Sequence, residues 1–234
     1  MTTHQENTKT RSSLDRDLAS IRKEILVMGS GIDATIERSL QALRELDQQL
    51  AGQIIADDTE VNNQRYKIEE MYLAVIARQQ PAAGDLREIL ATMSIVTDLE
   101  RMADHAAGIA KTVLQMGNES ARSLPQGILR MADLGREMLR RTLEAYALRD
   151  SDLAYAVALQ DDLIDTQYRA LFREFLDRMN SKSASTDIHL YLLFSGHNLE
   201  RIADRVTNIA ERVIFMSSGE MMELNPEPGW TALT

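Results

Sequence analysis

Residues Asp98–Ala110 read DLERMADHAAGIA and residues Asn198–Ala210 read NLERIADRVTNIA, with seven of 13 positions identical at a spacing of 100 residues. A looser echo precedes each copy: Asp58-Thr-Glu-Val-Asn62 against Asp161-Asp-Leu-Ile-Asp165. A chain that carries one unit twice must fold both copies alike, so the architecture is a pair. The unit is helical, because apolar residues recur at three- and four-residue intervals along most of the sequence. Four prolines, 11 glycines and 5% aromatic residues in 234 leave few of the turn formers and strand formers that a sheet protein needs.

The periodicity predicts helices over 11–46, 57–79, 85–117, 124–150, 161–180 and 187–217, with short helical pieces at 48–56 and 153–159 in corresponding connections. Asp57 and Asp58 suit an N-cap, Pro81 with Gly84 breaks the chain, and Asp85 can cap the third long helix. Pro125 follows the polar stretch Gly117 to Ser123 and divides the chain in two. The expectation is therefore an all-α protein of two tandem three-helix bundles, residues 11–117 and 124–217. A disordered start at 1–10 and an irregular tail at 218–234, with Pro226 and Pro228, flank them. Helices of this length run to ~45 Å and imply elongated bundles. Gly29-Ser-Gly31 falls inside a helical pattern and reads as a bend or a close helix approach.

Charge narrows the partners. The formal net charge is -10, and no Lys/Arg cluster offsets it locally, which argues against nucleic acid and against a broad anionic-membrane anchor. The longest wholly apolar run is the seven residues Leu153–Leu159, far short of the ~20 that span a bilayer. The polar N-terminus lacks the apolar core of a secretory signal, and zero cysteines suit a reducing compartment, so the expected location is cytoplasmic.

Each repeated stretch holds a carboxylate pair at i and i+4, Glu100 with Asp104 and Glu200 with Asp204. The members lie about 40° apart on one helix face, and like charges so placed cost ~0.2 to 0.5 kcal/mol. Leu99, Ala103, Ala106 and Ala110 form the apolar stripe, which puts Glu100 and Asp104 beside the core. On the preceding helix Asp161 and Asp165 line up with Ile164, Tyr168 and Phe172. Antiparallel packing would bring Glu200, Asp204, Asp161 and Asp165 to one place, and Glu100, Asp104, Asp58 and Asn62 to its counterpart. Such pairs are ordinarily a solvated face balanced by a neighbour such as Arg101 or Arg201, but their repetition points to a cation site in at least one half. Oxygen ligands select hard or borderline metals such as Mg²⁺, Mn²⁺, Ca²⁺ or iron. The absence of E-x-x-H removes the buried di-iron carboxylate pattern.

No Gly-rich phosphate loop, Ser/His/Asp constellation or dinucleotide fingerprint occurs, so no enzymatic activity is expected. His4 falls in the expected disordered start, and His189 and His197 read as surface or packing residues. His105, beside Asp104, raises a histidine phosphotransfer module as an alternative, weakened by its counterpart being Arg205.

Gln80-Pro81-Ala82-Ala83-Gly84-Asp85-Leu86-Arg87, then Asp98–Asp104 and Asn198–Asp204, resemble the PhoU family of phosphate-signalling accessory proteins over about residues 11–217. The resemblance implies two bundles related by a pseudo-twofold axis. It also implies acidic motifs that bind metal ions or small multinuclear clusters at the surface, of Fe, Mn, Mg or Zn. Carried over, those motifs fall on Glu100, Asp104, Glu200, Asp204, Asp161 and Asp165. In the first half they meet Asp58 and Asn62, where one charge is lost. The implied role is repression of the phosphate-starvation response, linking the phosphate ABC transporter to a sensor histidine kinase. The implied partners are the transporter's ATPase subunit, the kinase and a second copy in a homodimer, with the membrane reached only through them. A metal-independent helical adaptor or chaperone of an anion transporter is the alternative from another class.

Overall fold

The computed structural model describes residues 2–117, 124–180 and 186–224, with side chains described for 11–117, 124–179 and 187–224. Its helices are α1 (Thr2–Glu45), α2 (Gln48–Gln79), α3 (Ala83–Met116), α4 (Gln126–Leu148), α5 (Ser151–Ala158), α6 (Asp161–Asn180) and α7 (Thr186–Ser218). The first bundle is α1, α2 and α3; the second is α4, α7 and the broken helix α5–α6. The bundles meet chiefly along α3 and α7, whose buried Ala103, Ala106, Ala110, Ala203 and Ala210 let the backbones approach. One continuous apolar core runs through both bundles, from Leu14 on α1 to Ile214 on α7.

The duplication is written into this seam. Arg205 Nη1 stands 3.5 Å from Asp98 Oδ1, and His105 Nδ1 stands 3.1 Å from Asn198 Oδ1. Asn208 donates to Asp98 at 3.4 Å, while a Cβ at Gly108 would lie 2.7 Å from Asn198 Oδ1. Positions 98, 105 and 108 correspond to 198, 205 and 208 in the repeat. Each contact thus recurs with its two positions exchanged between the copies, the reciprocal pairing of a twofold interface.

A second shared device was not apparent in the repeats as aligned. Leu46 (φ 53°) and Arg149 (φ 55°) both adopt the left-handed conformation, and each is followed by an aspartate N-cap. The Asp47 carboxylate accepts from the Leu50 amide at 2.9 Å, and the Asp150 carboxylate accepts from Leu153 at 2.9 Å. Both bundles therefore turn their first helix into their second by the same geometry.

Several boundaries differ from expectation. Asp57 and Asp58 do not cap a helix: α2 is continuous from Gln48, because Asp47 supplies the cap and Arg38 pairs with the exposed Asp57 at 2.8 Å. Only the second bundle keeps the short piece separate, as α5. The 124–150 prediction ends earlier, at Leu148, where Arg149 turns the chain. Helix α1 continues N-terminally to Thr2, through the stretch read as a disordered start. Phe172 is exposed, and the buried stripe of α6 runs instead through Ile164, Leu171 and Phe175. The Gly29 reading holds: a Cβ there would sit 2.6 Å from Leu143 Cδ1 of α4, whereas Gly31 faces open space. Of the expected tail, Leu224 folds back so that its amide donates to Glu211 at 2.7 Å, and Pro226 and Pro228 lie outside the described residues.

Candidate metal and docking site

The eight predicted site residues fall into two sets. In the second bundle, Asp161 and Asp165 open α6 and Glu200 and Asp204 lie on the adjoining stretch of α7. Glu200 is 19% exposed, and its Oε2 is buried without a hydrogen-bond partner. Burial foremost, then the charges of Asp204, Asp165 and Asp161, push its carboxyl up to about 7 despite Arg201. Burial also raises Asp165, and Asp161 is 2% exposed. Two basic groups attend the set: Arg201 Nη1 lies 2.7 Å from Asp204 Oδ2, and His197 Nδ1 lies 3.4 Å from Glu200 Oε2. The His197 ring is held below its ordinary value by burial and by Arg201, so it stays neutral where Glu200 ionises.

In the first bundle, Glu100 and Asp104 on α3 face Asp58 on α2. Burial and the Asp104 charge raise both Asp58 and Glu100. Here a cation is built in: Arg65 Nε stands 3.9 Å from Glu100 Oε1 and 3.4 Å separates its Nη1 from Glu69 Oε1. The guanidinium also lies over the Tyr66 ring at 4.8 Å. Asn62 turns its amide back to the Asp58 carbonyl oxygen at 3.2 Å. The position equivalent to Arg65 in the second bundle is Tyr168, which carries no charge there. Among the described residues, no three His, Asp or Glu side chains stand gathered closely enough to hold a metal ion as placed.

Sequence reasoning missed Arg65 and set His197 aside. The first had a readable signal, an arginine one turn beyond Asn62 on the same helix; the second lies one turn before Glu200. His105 is half-buried, bonded to Asn198 and held neutral by burial, which gives it a structural occupation at the seam. His189 packs edge-on against Phe175 with ring centroids 5.5 Å apart.

Outside the acidic sets, the bundles leave large apolar side chains uncovered at matching places. Leu73 and Leu90 are 63% and 55% exposed, and their counterparts Leu176 and Leu190 are 41% and 40% exposed. No helix among the described residues is long and apolar enough to cross a membrane.

A tandem of three-helix bundles with an acidic set on each defines a class of duplicated all-α proteins. The PhoU domain matches this chain twice, over residues 25–113 and 128–213. The chain is 36% identical over 217 residues to a phosphate-specific transport system accessory protein PhoU homolog of Clostridium acetobutylicum, covering 92% of this chain and 99% of that one. It is 35% identical to the homolog of Rhizobium meliloti over 209 residues, covering 89% and 88%. The crystal structure of the phosphate transport system regulatory protein PhoU from Streptococcus pneumoniae superposes with a TM-score of 0.85 at 32% identity, covering 90% of this chain and 100% of that one. The chain belongs to the PhoU family.

Proposed function

We propose that this protein is a cytoplasmic, non-enzymatic negative regulator of the phosphate-starvation response. It modulates phosphate uptake by working between the phosphate ABC transporter and a sensor histidine kinase. The observation that carries the reading is the match over both bundles to relatives named as accessory proteins of phosphate-specific transport. The uncovered apolar side chains repeated on both bundles support docking, since a contact surface needs apolar area that water does not keep covered. Deleting the gene is expected to release phosphate-responsive genes at high phosphate, with restoration by the intact copy. Full repression in the deletion strain would overturn the reading.

The reading extends to metal. Glu200, Asp204, Asp161 and Asp165 would hold a hard cation in the second bundle, and Glu100, Asp104, Asp58 and Asn62 in the first. The orphaned, buried Glu200 Oε2 among three further carboxylates supports the second set, because such a group is costly without a cation. A metal held there would supply charge neutralisation and a tie between α6 and α7, a structural or regulatory role. Elemental analysis of the purified protein, with Asp104→Ala and Asp204→Ala combined, tests it: metal in the parent and loss in the variant are expected, and equal content in both would refute the assignment.

Arg65 favours a second reading for the first bundle. A guanidinium already beside Glu100 serves as its counter-charge, so that half acts as a metal-independent adaptor. Metal content of the single variants Asp104→Ala and Asp204→Ala separates the two: loss only with Asp204→Ala supports the adaptor reading of the first bundle.

A further inference from the structure

The stretch Gln80–Arg87 has no part in the acidic sets. It forms the turn into α3 and one wall of a cavity of about 390 Å³ at the end of the first bundle. The cavity lies 12 residues along α3 from Glu100, or ~18 Å. Arg11 and Arg22 of α1, Arg87 of α3 and Arg149 after α4 line it, facing the carboxylates of Asp15, Asp85 and Glu88.

Its charges do not close on themselves. Arg11 pairs with Asp85 at 2.8 Å, and Arg22 pairs with Glu88 at 2.5 Å. Arg149 shares that same Glu88, so one buried carboxylate serves two guanidinium groups. Arg87 has no ion pair among the described residues, and the Arg22 Nε is buried with no hydrogen-bond partner. A buried donor left unsatisfied costs ~1 to 3 kcal/mol and calls for an acceptor. Gly84 keeps the wall open, since a Cβ there would meet nothing within 4 Å, while the Asp85 carboxylate accepts from the Ala82 amide at 3.3 Å and so caps α3. Four guanidinium groups thus face three carboxylates, Asp15 also pairing with Arg11 at 3.3 Å, so the lining carries one positive charge in excess within a chain of net charge -10.

We propose that the cavity binds a phosphoryl oxyanion, either inorganic phosphate or the phosphate of a small monoester. Guanidinium groups meet such oxygens in paired, charge-assisted hydrogen bonds. The acids have a role as well: Asp15, Asp85 or Glu88 can accept a hydrogen bond from the P–OH that hydrogen phosphate keeps at neutral pH and sulfate lacks. This site stands apart from the acidic sets, and its occupancy is a property of the purified protein whatever the regulatory role.

The test is calorimetric titration of the full chain at pH 7.5 and constant ionic strength with inorganic phosphate, glycerol 3-phosphate and sulfate. Arg87→Gln and Arg149→Gln are compared with Arg130→Gln, an exposed arginine outside the cavity, and thermal melts report folding of each. Saturable binding is expected. Removing one charge-assisted bond weakens it at least about tenfold in Arg87→Gln and Arg149→Gln, while Arg130→Gln binds as the parent does. Tighter phosphate assigns the free ion, and tighter glycerol 3-phosphate assigns an esterified ligand. No saturation with either, sulfate binding as tightly as both, or folded Arg87→Gln and Arg149→Gln binding as the parent does would each overturn the proposal. The deletion experiment tests regulation separately, so either conclusion can fall alone.

Discussion

Replacing Glu200 by Gln should stabilise this protein when it is stripped of metal. In the folded chain the Glu200 carboxyl is raised from 4.5 to about 7. An acid held up in this way favours the fold fully below its unfolded value and loses that contribution as pH rises through about 7. At 1.36 kcal/mol per pH unit, ionised Glu200 costs the fold about 3 kcal/mol at pH 8 and only about 1 kcal/mol at pH 5. Gln keeps the size and polarity and removes the charge. For a chain of this length each kcal/mol moves Tm by about 2 to 4 °C. In chelator, Glu200→Gln should therefore melt about 6 to 12 °C above the parent at pH 8, and about 2 to 4 °C above it at pH 5. Adding Mn²⁺ or Fe²⁺ should reverse the order at pH 8, because the parent gains a ligand and the variant has lost one. A variant that melts at or below the parent in chelator at pH 8, or shows the same gain at both pH values, would refute the electrostatic reasoning. A parent that gains nothing from metal would refute the metal reading while leaving the electrostatics intact.

The remaining predictions concern packing and the seam. Gly29→Val, forced against Leu143, should lower the urea unfolding free energy by about 1 to 3 kcal/mol, whereas Gly31→Ala, facing open space, should raise it by up to about 1 kcal/mol. Arg205→Ala leaves the partly buried Asp98 without its main cation and should cost about 2 to 4 kcal/mol in the same assay. Adding Asp98→Asn should restore much of that loss, and a double variant no better than the single would show that the pair carries no coupling. His105 should take no kinase-dependent phosphoryl label, and a label abolished by His105→Ala would revive the phosphotransfer reading.

The helical class, the duplication and the two acidic sets could be read from period and repetition alone, because a regular three-to-four spacing and a copied motif survive without any knowledge of packing. The N-caps could not. Asp57 and Asp58 carry the right residue type, but the capping role fell to Asp47, whose preceding Leu46 adopts a conformation that leucine rarely signals. Phe172 misled for a related reason: on a helix with aromatic residues at 168, 172 and 175, hydrophobicity does not say which side faces the neighbour, and α4 and α7 select Leu171 and Phe175. Arg65 could be placed one turn beyond Asn62 on its own helix, but not its meeting with Glu100, which joins residues 35 apart on different helices. The arginine cavity was out of reach altogether, because it gathers α1, α3, α4 and α7 at one end.

The reciprocal seam between α3 and α7 has a further consequence. Two identical subunits meeting across a twofold axis must accept every substitution twice, once on each side. Joined in one chain, the two sides can change independently, and here they have: one crossing carries the ion pair of Asp98 with Arg205, the other the neutral contact of Asn198 with His105. The same freedom separates Arg65 from Tyr168 at the acidic sets. A covalent dimer of this kind can hold one half to a fixed internal balance of charge while the other half answers to what the solution supplies.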